Sequence, residues 1–338
     1  MMDWLERASD LLLEDDPGPT PFLVESLIVD QAVAVIQGPA KVAKTWTTLE
    51  LARAIATGSP AFGRFDVPNP GPVILVLEES GRAALHRRLD ALTRGNAQTA
   101  DTFDEFHFAA NQRVKLDDRD WQLKLVDAAR VIAPRAIILD PLVRMKGAGR
   151  DENAQLEMAP VLEFLRLLRD ESGAAVVFVH HVGHTAGRLR GTSDLEAFWE
   201  SKVAVEKGDD GVRRVTAEHR EAEAGPEFRF RLDWDETSRS MRLVTSEDEL
   251  ERRVAEYLDE HPDESANKVA KELGGNREAV LAAVRAVRSE GGSGFPEPPG
   301  TTPRGTSPAR GSADLHTPRR GWSREPPRTV LVPPTGNR

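Results

Sequence analysis

The 338 residues can fill one full-sized core with a smaller unit attached, and 55 acidic against 45 basic side chains leave a formal net charge of −10. That balance excludes whole-surface attraction for DNA or RNA, so any nucleic-acid contact has to be local. With no cysteine there is no disulfide framework and no thiolate metal site; with no bilayer-length apolar run and no basic-then-apolar leader at Met1-Met2-Asp3-Trp4, the expectation is a cytoplasmic protein without membrane contact.

Residues 1–30 read as an N-terminal arm, a short amphipathic helix followed by the turn Pro17-Gly18-Pro19-Thr20-Pro21. From 31 to 245, apolar strands at 33–36, 73–77, 136–139 and 176–179 alternate with helices that run to about 57, start near 82 and cross 154–170. This alternation predicts an α/β domain with a mostly parallel sheet. Short strands at 201–206, 212–219, 228–234 and 241–245, separated by charged turns such as Gly208-Asp209-Asp210-Gly211, are expected as antiparallel additions to its edge.

A different pattern occupies 247–290. Leu250, Val254, Tyr257 and Leu258 share one helical face; Val269, Ala270 and Leu273 make a second short helix ending at Gly274-Gly275; Val280, Leu281, Val284 and Val287 make a third. Three short helices with a glycine turn before the last resemble a winged-helix or helix-turn-helix module, in which Asn276, Arg277 and Arg285 would face a DNA major groove. Beyond 291 no core-forming periodicity remains, so a disordered tail is expected; its seven arginines against three acids give it +4 and leave −14 for the rest.

Chemistry concentrates at the ends of the predicted strands. Gly38-Pro39-Ala40-Lys41-Val42-Ala43-Lys44-Thr45 joins the first apolar strand to a helix and approaches G-x-x-x-x-G-K-[ST], the loop whose inward N–H groups hold a β-phosphate at a helix N-terminus. Lys44 then meets the β- and γ-phosphates of ATP, and the Thr45 hydroxyl holds Mg²⁺. Ala43 stands where the pattern has glycine, a position with a backbone geometry that costs a side chain roughly 1–2 kcal/mol.

Asp140 closes Ala-Ile-Ile-Leu-Asp and suits the acid that orients Mg²⁺ through its water shell. Glu78 and Glu79 end the strand at 73–77, where one of them can polarise an attacking water; Glu78 is the first choice. His180-His181 end another strand and suit sensing of the γ-phosphate. Adjacent histidines on an extended segment face opposite ways, which disfavours zinc even with His184 near. Two basic, glycine-bearing loops leave the same edge, one with Arg144, Lys146 and Arg150, the other with Arg188 and Arg190, and suit a phosphate backbone although they lack base-stacking aromatics.

The ordered set Gly-Pro-Ala-Lys-Val-Ala-Lys-Thr-Trp, Val-Ile-Leu-Val-Leu-Glu-Glu-Ser, Ala-Ile-Ile-Leu-Asp-Pro-Leu, Val-Val-Phe-Val-His-His and Arg-Gly-Thr-Ser resembles the RecA-like P-loop ATPases of the RepA type, hexameric replicative helicases and their relatives, over residues 22 to 235. The resemblance implies an ATP site at residues 38–45 with Trp46, Lys44 and Thr45 on the triphosphate and Mg²⁺, Glu78 as catalytic base, Asp140 as the Walker B acid and His181 as γ-phosphate sensor. It also implies a homo-oligomeric, hexameric ring whose neighbouring subunit supplies a cation, with Lys202 first, Arg190 second and Arg220 third as candidates. Single-stranded or duplex DNA is the implied partner. The alternatives are an ATP-dependent regulatory or assembly switch that unwinds nothing, and a DNA-binding regulator acting through its C-terminal helices.

Overall fold

The computed structural model describes residues 6–147, 155–181, 198–208 and 211–290; the tail from 291 lies outside the described residues. In chain order the elements are α1 (Ala8–Leu11), β1 (Phe22–Val24), β2 (Ile28–Val29), β3 (Val33–Gly38), α2 (Lys44–Thr57), β4 (Val73–Leu77), α3 (Arg82–Gly95), β5 (Phe106–Ala110) and α4 (Arg119–Ile132). They continue as β6 (Ala136–Asp140), α5 (Gln155–Ser172), β7 (Ala175–His181), β8 (Ser201–Lys207), β9 (Arg213–His219), β10 (Phe228–Asp235) and β11 (Ser240–Thr245). Three helices close the described chain: α6 (Ser246–Glu260), α7 (Ala266–Leu273) and α8 (Arg277–Glu290).

Nine strands form one mixed sheet in the order β11-β10-β9-β8-β3-β7-β6-β4-β5. Neighbours from β8 to β5 run parallel, and the flank from β8 through β11 is antiparallel, as the short charged-turn strands had suggested. The central strands are buried along their length, because helices cover both faces, and so they read in the sequence as continuous apolar runs rather than alternations.

One face carries α2 and α3, and the other carries α4 and α5. Phe228 and Phe230 of β10 and Met241 and Leu243 of β11 share the core of α2 and α3. The antiparallel flank therefore curls over that face until β11 meets α3. The approach is so close that a Cβ on Gly95 would lie 2.0 Å from the Met241 carbonyl oxygen, so only glycine fits there.

Three parts of the fold go beyond the sequence expectation. Leu23, Val24, Leu27 and Ile28 of the predicted arm are fully buried in the main core, so only α1 and its surroundings lie outside it. β5 and α4 carried no strong signal. β5 is an edge strand with half-exposed residues and thus no continuous apolar run, while α4 starts where the Asp118 carboxylate accepts from the Asp120 and Trp121 amides.

The C-terminal helices build a small core from Val254, Leu258, Val269, Ala270, Val280, Ala283 and Val284. α6 follows β11 directly through a capping box between Thr245 and Asp248 and packs on β10 and β11. Among the described residues no wing hairpin accompanies these helices. Asn276 and Arg277, predicted to face DNA, are used internally: the Asn276 side chain caps α8, and Arg277 donates to the Asn267 side chain at 2.8 Å. Arg285 is exposed. No described helix is long and apolar enough to cross a membrane.

Candidate functional site

Where β3 ends, the chain has to leave a crowded sheet edge. A Cβ on Gly38 would stand 2.2 Å from the Val205 carbonyl oxygen of β8, so glycine starts the loop for want of space. The loop then enters α2 through Ala43 at φ 76°, ψ 22°, the left-handed geometry for which the pattern reserves glycine. No side chain caps α2, so its first-turn N–H groups are left to the loop's concavity. Lys44 is buried and folds back over the loop, donating to the Gly38 and Pro39 carbonyls at 2.8 and 2.7 Å.

A cleft of about 520 Å³ opens in front of this loop, lined by Ala40, Lys41, Ala43, Lys44, Thr45 and Trp46. Glu79 and Ser80 from the end of β4, Asp140 from β6, His181 from β7, Arg88 from α3, Arg213 from β9 and Leu232 from β10 complete it. Parallel strands in register explain the convergence: Leu77 pairs with Asp140 and Gly38 with His181, so consecutive strands deliver their last residues to one edge.

Burial pushes the Asp140 carboxyl up to about 6; a hydrogen bond from Thr45 pulls it down, the Glu79 charge adds to the rise, and Lys44 and Arg88 oppose it. Burial pushes the Lys44 ammonium down to about 8 against the pull of Asp140 and Glu79. Asp140 Oδ2 is buried and has no hydrogen-bond partner among the described residues. A buried, partnerless carboxylate oxygen beside a loop hydroxyl suits a hard divalent cation with oxygen ligands, so the residues present fit Mg²⁺, which Thr45 and Asp140 would hold.

The two strand-end glutamates, of which the sequence favours Glu78 as the base, sit in different surroundings. Glu78 is buried, and its carboxylate accepts from the Gln112, Arg113 and Val114 amides at 3.0, 2.9 and 3.1 Å, which anchors the turn after β5. Glu79 is exposed to the cleft and close enough to Asp140 and Lys44 to influence both. The two separate in the bend that follows β4, where Glu78 turns inward and Glu79 outward. His180 and His181 alternate along β7, with His180 buried and His181 in the cleft.

Other candidates lie elsewhere. The Lys202 ammonium pairs with Glu218 at 2.6 Å and sits over the Trp199 ring, so this first-ranked trans cation is engaged within its own chain. Arg220 follows β9 and lines a separate hollow with Thr20, Asp30 and Glu221. Arg144 is exposed beyond β6, with its carbonyl accepting from Lys115, and Lys146 is half-buried nearby. Arg150, His184, Arg188 and Arg190 lie outside the described residues.

Arg88 and Arg213 escaped the sequence reading. Arg88 donates to the Ser80 hydroxyl at 3.0 Å and lies over the Trp46 ring. One signal was available: Arg88 falls three residues after buried Leu85 and four before buried Leu92, a cation in the apolar stripe of α3. A larger cleft of about 590 Å³ elsewhere holds Arg231 and Arg252, both paired with Glu249 at 3.1 and 2.9 Å, and it has no part of the phosphate loop.

Among solved structures, the chain is similar to the RadB recombinase, with 14% identity over 64% of this chain and 91% of that one at a TM-score of 0.46. It is also similar to the KaiC-like protein PH0186 from Pyrococcus horikoshii OT3, with 13% identity over 68% of this chain and 98% of that one at a TM-score of 0.45. The family model described as AAA domain, AAA_25, matches residues 5–187, more than half of the sequence. The chain belongs to this AAA_25 family and is a P-loop ATPase.

Proposed function

We propose that the cleft hydrolyses ATP with Glu79 as the general base, and that the chain is a RepA-type motor or remodeller coupling turnover to DNA. The observation that carries the reading is the convergence of Lys44, Thr45, Glu79, Asp140 and His181 on one cleft. Lys44 and the loop amides hold the β- and γ-phosphates, and Glu79 aligns a water and takes its proton as the water oxygen attacks the γ-phosphorus. The bond from that phosphorus to the bridging oxygen breaks, and ADP keeps the electron pair. Thr45 and Asp140 would hold Mg²⁺, which when bound would neutralise the phosphate charge. His181 follows the γ-phosphate and passes its loss to the segment after β7.

DNA is the proposed partner because Arg144 and Lys146 leave the same sheet edge, with Arg150 close after them in the sequence and Arg188 and Arg190 in the segment that follows β7. A ring, hexameric by the RepA resemblance, would share each site between neighbours. Since Lys202 is engaged with Glu218, Arg190 and Arg220 become the preferred trans cations. The exposed Arg285 face of α8 would supply any duplex contact made by the C-terminal helices.

The test is the ATPase rate with and without saturating single-stranded DNA. Stimulation is expected, and an unchanged rate removes the motor reading. A nucleotide-dependent switch without unwinding is the second reading, favoured by Ala43 at φ 76° and by the −10 net charge.

A further inference from the structure

We propose that Arg213 is a second nucleotide-holding cation, supplied in cis, which grips the part of the nucleotide remote from the bond that breaks. The inference rests on the reading of this cleft as a nucleotide site.

The cleft is locally inverted in charge. In a chain of net −10 it is lined by four cations, Lys41, Lys44, Arg88 and Arg213, and two acids, Glu79 and Asp140. Three of the cations have other evident duties or surroundings: Lys44 belongs to the loop, Lys41 to its exposed crest, and Arg88 to Ser80 and Trp46. Among the described residues Arg213 is held by one edge only. One terminal nitrogen donates to the Gly211 carbonyl, while Nε is buried and has no hydrogen-bond partner among the described residues. A guanidinium donor withdrawn from water and left unmatched is costly, so a cleft that keeps one is suited to an anionic acceptor.

The sheet order says which part of the nucleotide that acceptor is. Glu79, Asp140 and His181 come from β4, β6 and β7, all on one side of β3, the strand that carries the phosphate loop. Arg213 and Leu232 come from β9 and β10, on the other side. A triphosphate laid across the end of β3 with its γ-phosphate toward the acids directs its α-phosphate and ribose toward β9. Arg213 then contacts a group present in ATP and ADP alike and unchanged by the reaction, which makes it a source of uniform binding rather than of transition-state stabilisation.

The experiment is calorimetric titration of ADP and of a non-hydrolysable ATP analogue, each with Mg²⁺, into the full chain and its Arg213→Gln and Arg213→Lys variants, with kcat and KM for ATP. Loss of a charge-assisted contact predicts that Arg213→Gln weakens both nucleotides by a similar factor, about tenfold to a hundredfold, with kcat within about twofold, and that Arg213→Lys recovers part of the loss. Unfolding curves without nucleotide confirm that the variants are folded. If both variants bind ADP as the parent does, or if ADP binding is intact while kcat falls, the proposal is overturned and the nucleotide reading stands. If the unaltered chain binds neither nucleotide, both are overturned.

Discussion

Glu78 and Glu79 are consecutive in the chain and perform separate tasks at the end of β4: the carboxylate of Glu78 is enclosed by three backbone amides of the turn after β5, while that of Glu79 faces Asp140 and Lys44. Replacing each by glutamine separates the two. Glu79→Gln should leave nucleotide affinity within about threefold while hydrolysis falls at least about a hundredfold, the loss of a positioned base. Glu78→Gln removes the charge from three hydrogen bonds and should lower unfolding stability by about 2 kcal/mol. Single-turnover hydrolysis and denaturant unfolding of both variants check this; a catalytic collapse confined to Glu78→Gln would return the base to that residue.

Ala43 holds φ 76° at the mouth of α2. Relief of left-handed strain in Ala43→Gly is worth about 1–2 kcal/mol, and the extra unfolded-state freedom of glycine offsets about 0.5–1 kcal/mol of it. A net gain of about 0.5–1 kcal/mol in stability is expected from these two terms, with tighter ATP binding because the amides meet the phosphate without strain. Denaturant unfolding and calorimetry measure the two effects, and a lower stability together with weaker binding would contradict the strain argument.

Asp140 and Lys44 give the site a calculable pH dependence. The folded Asp140 carboxyl titrates near 6 instead of 3.8, so the native chain binds more protons in that window and loses stability as pH rises through it. Lys44 is displaced downward, from 10.5 to about 8, so the unfolded chain binds more protons there and stability rises with pH across that interval. Asp140→Asn should therefore stabilise the nucleotide-free chain at pH 7 by up to about 3 kcal/mol, with the gain vanishing below pH 4. Mg²⁺-dependent ATP affinity, which needs ionised Asp140, should fall about tenfold per pH unit below 6 and lose this dependence in the variant. Unfolding and calorimetry from pH 4 to 8 read both.

Lys202 pairs with Glu218 inside the chain. Lys202→Ala should cost about 1 kcal/mol, the worth of a pair whose carboxylate is exposed, and leave ATP turnover nearly intact. Mixtures of unaltered and Arg220→Ala subunits are the corresponding test of sharing: turnover falling more steeply than the variant fraction is expected of a trans cation, and strict proportionality would count against it.

The parallel core and the antiparallel flank were legible in the sequence, as were the loop at 38–45 and the placing of Asp140 at a strand end, because each depends on local facts. A strand covered on both faces must be continuously apolar, as Ala136–Asp140 is, and a loop that wraps phosphate must carry Gly38, Lys44 and Thr45 in fixed order. The edge strand Phe106–Ala110 was not legible, since half-exposed residues lack that constraint.

What only the tertiary structure decided is which side chain of an adjacent pair enters the cleft and which distant cations join it. Glu78 and Glu79 are chemically alike in the sequence, and the amides that capture Glu78 belong to residues 112–114, more than thirty positions away. Arg213 reaches the phosphate loop because β9 and β10 curl over α2, a consequence of Phe228 and Phe230 burying themselves in its core. Sequence spacing carries local geometry, whereas contacts of this kind arise from the shared burial of segments that are remote in the chain.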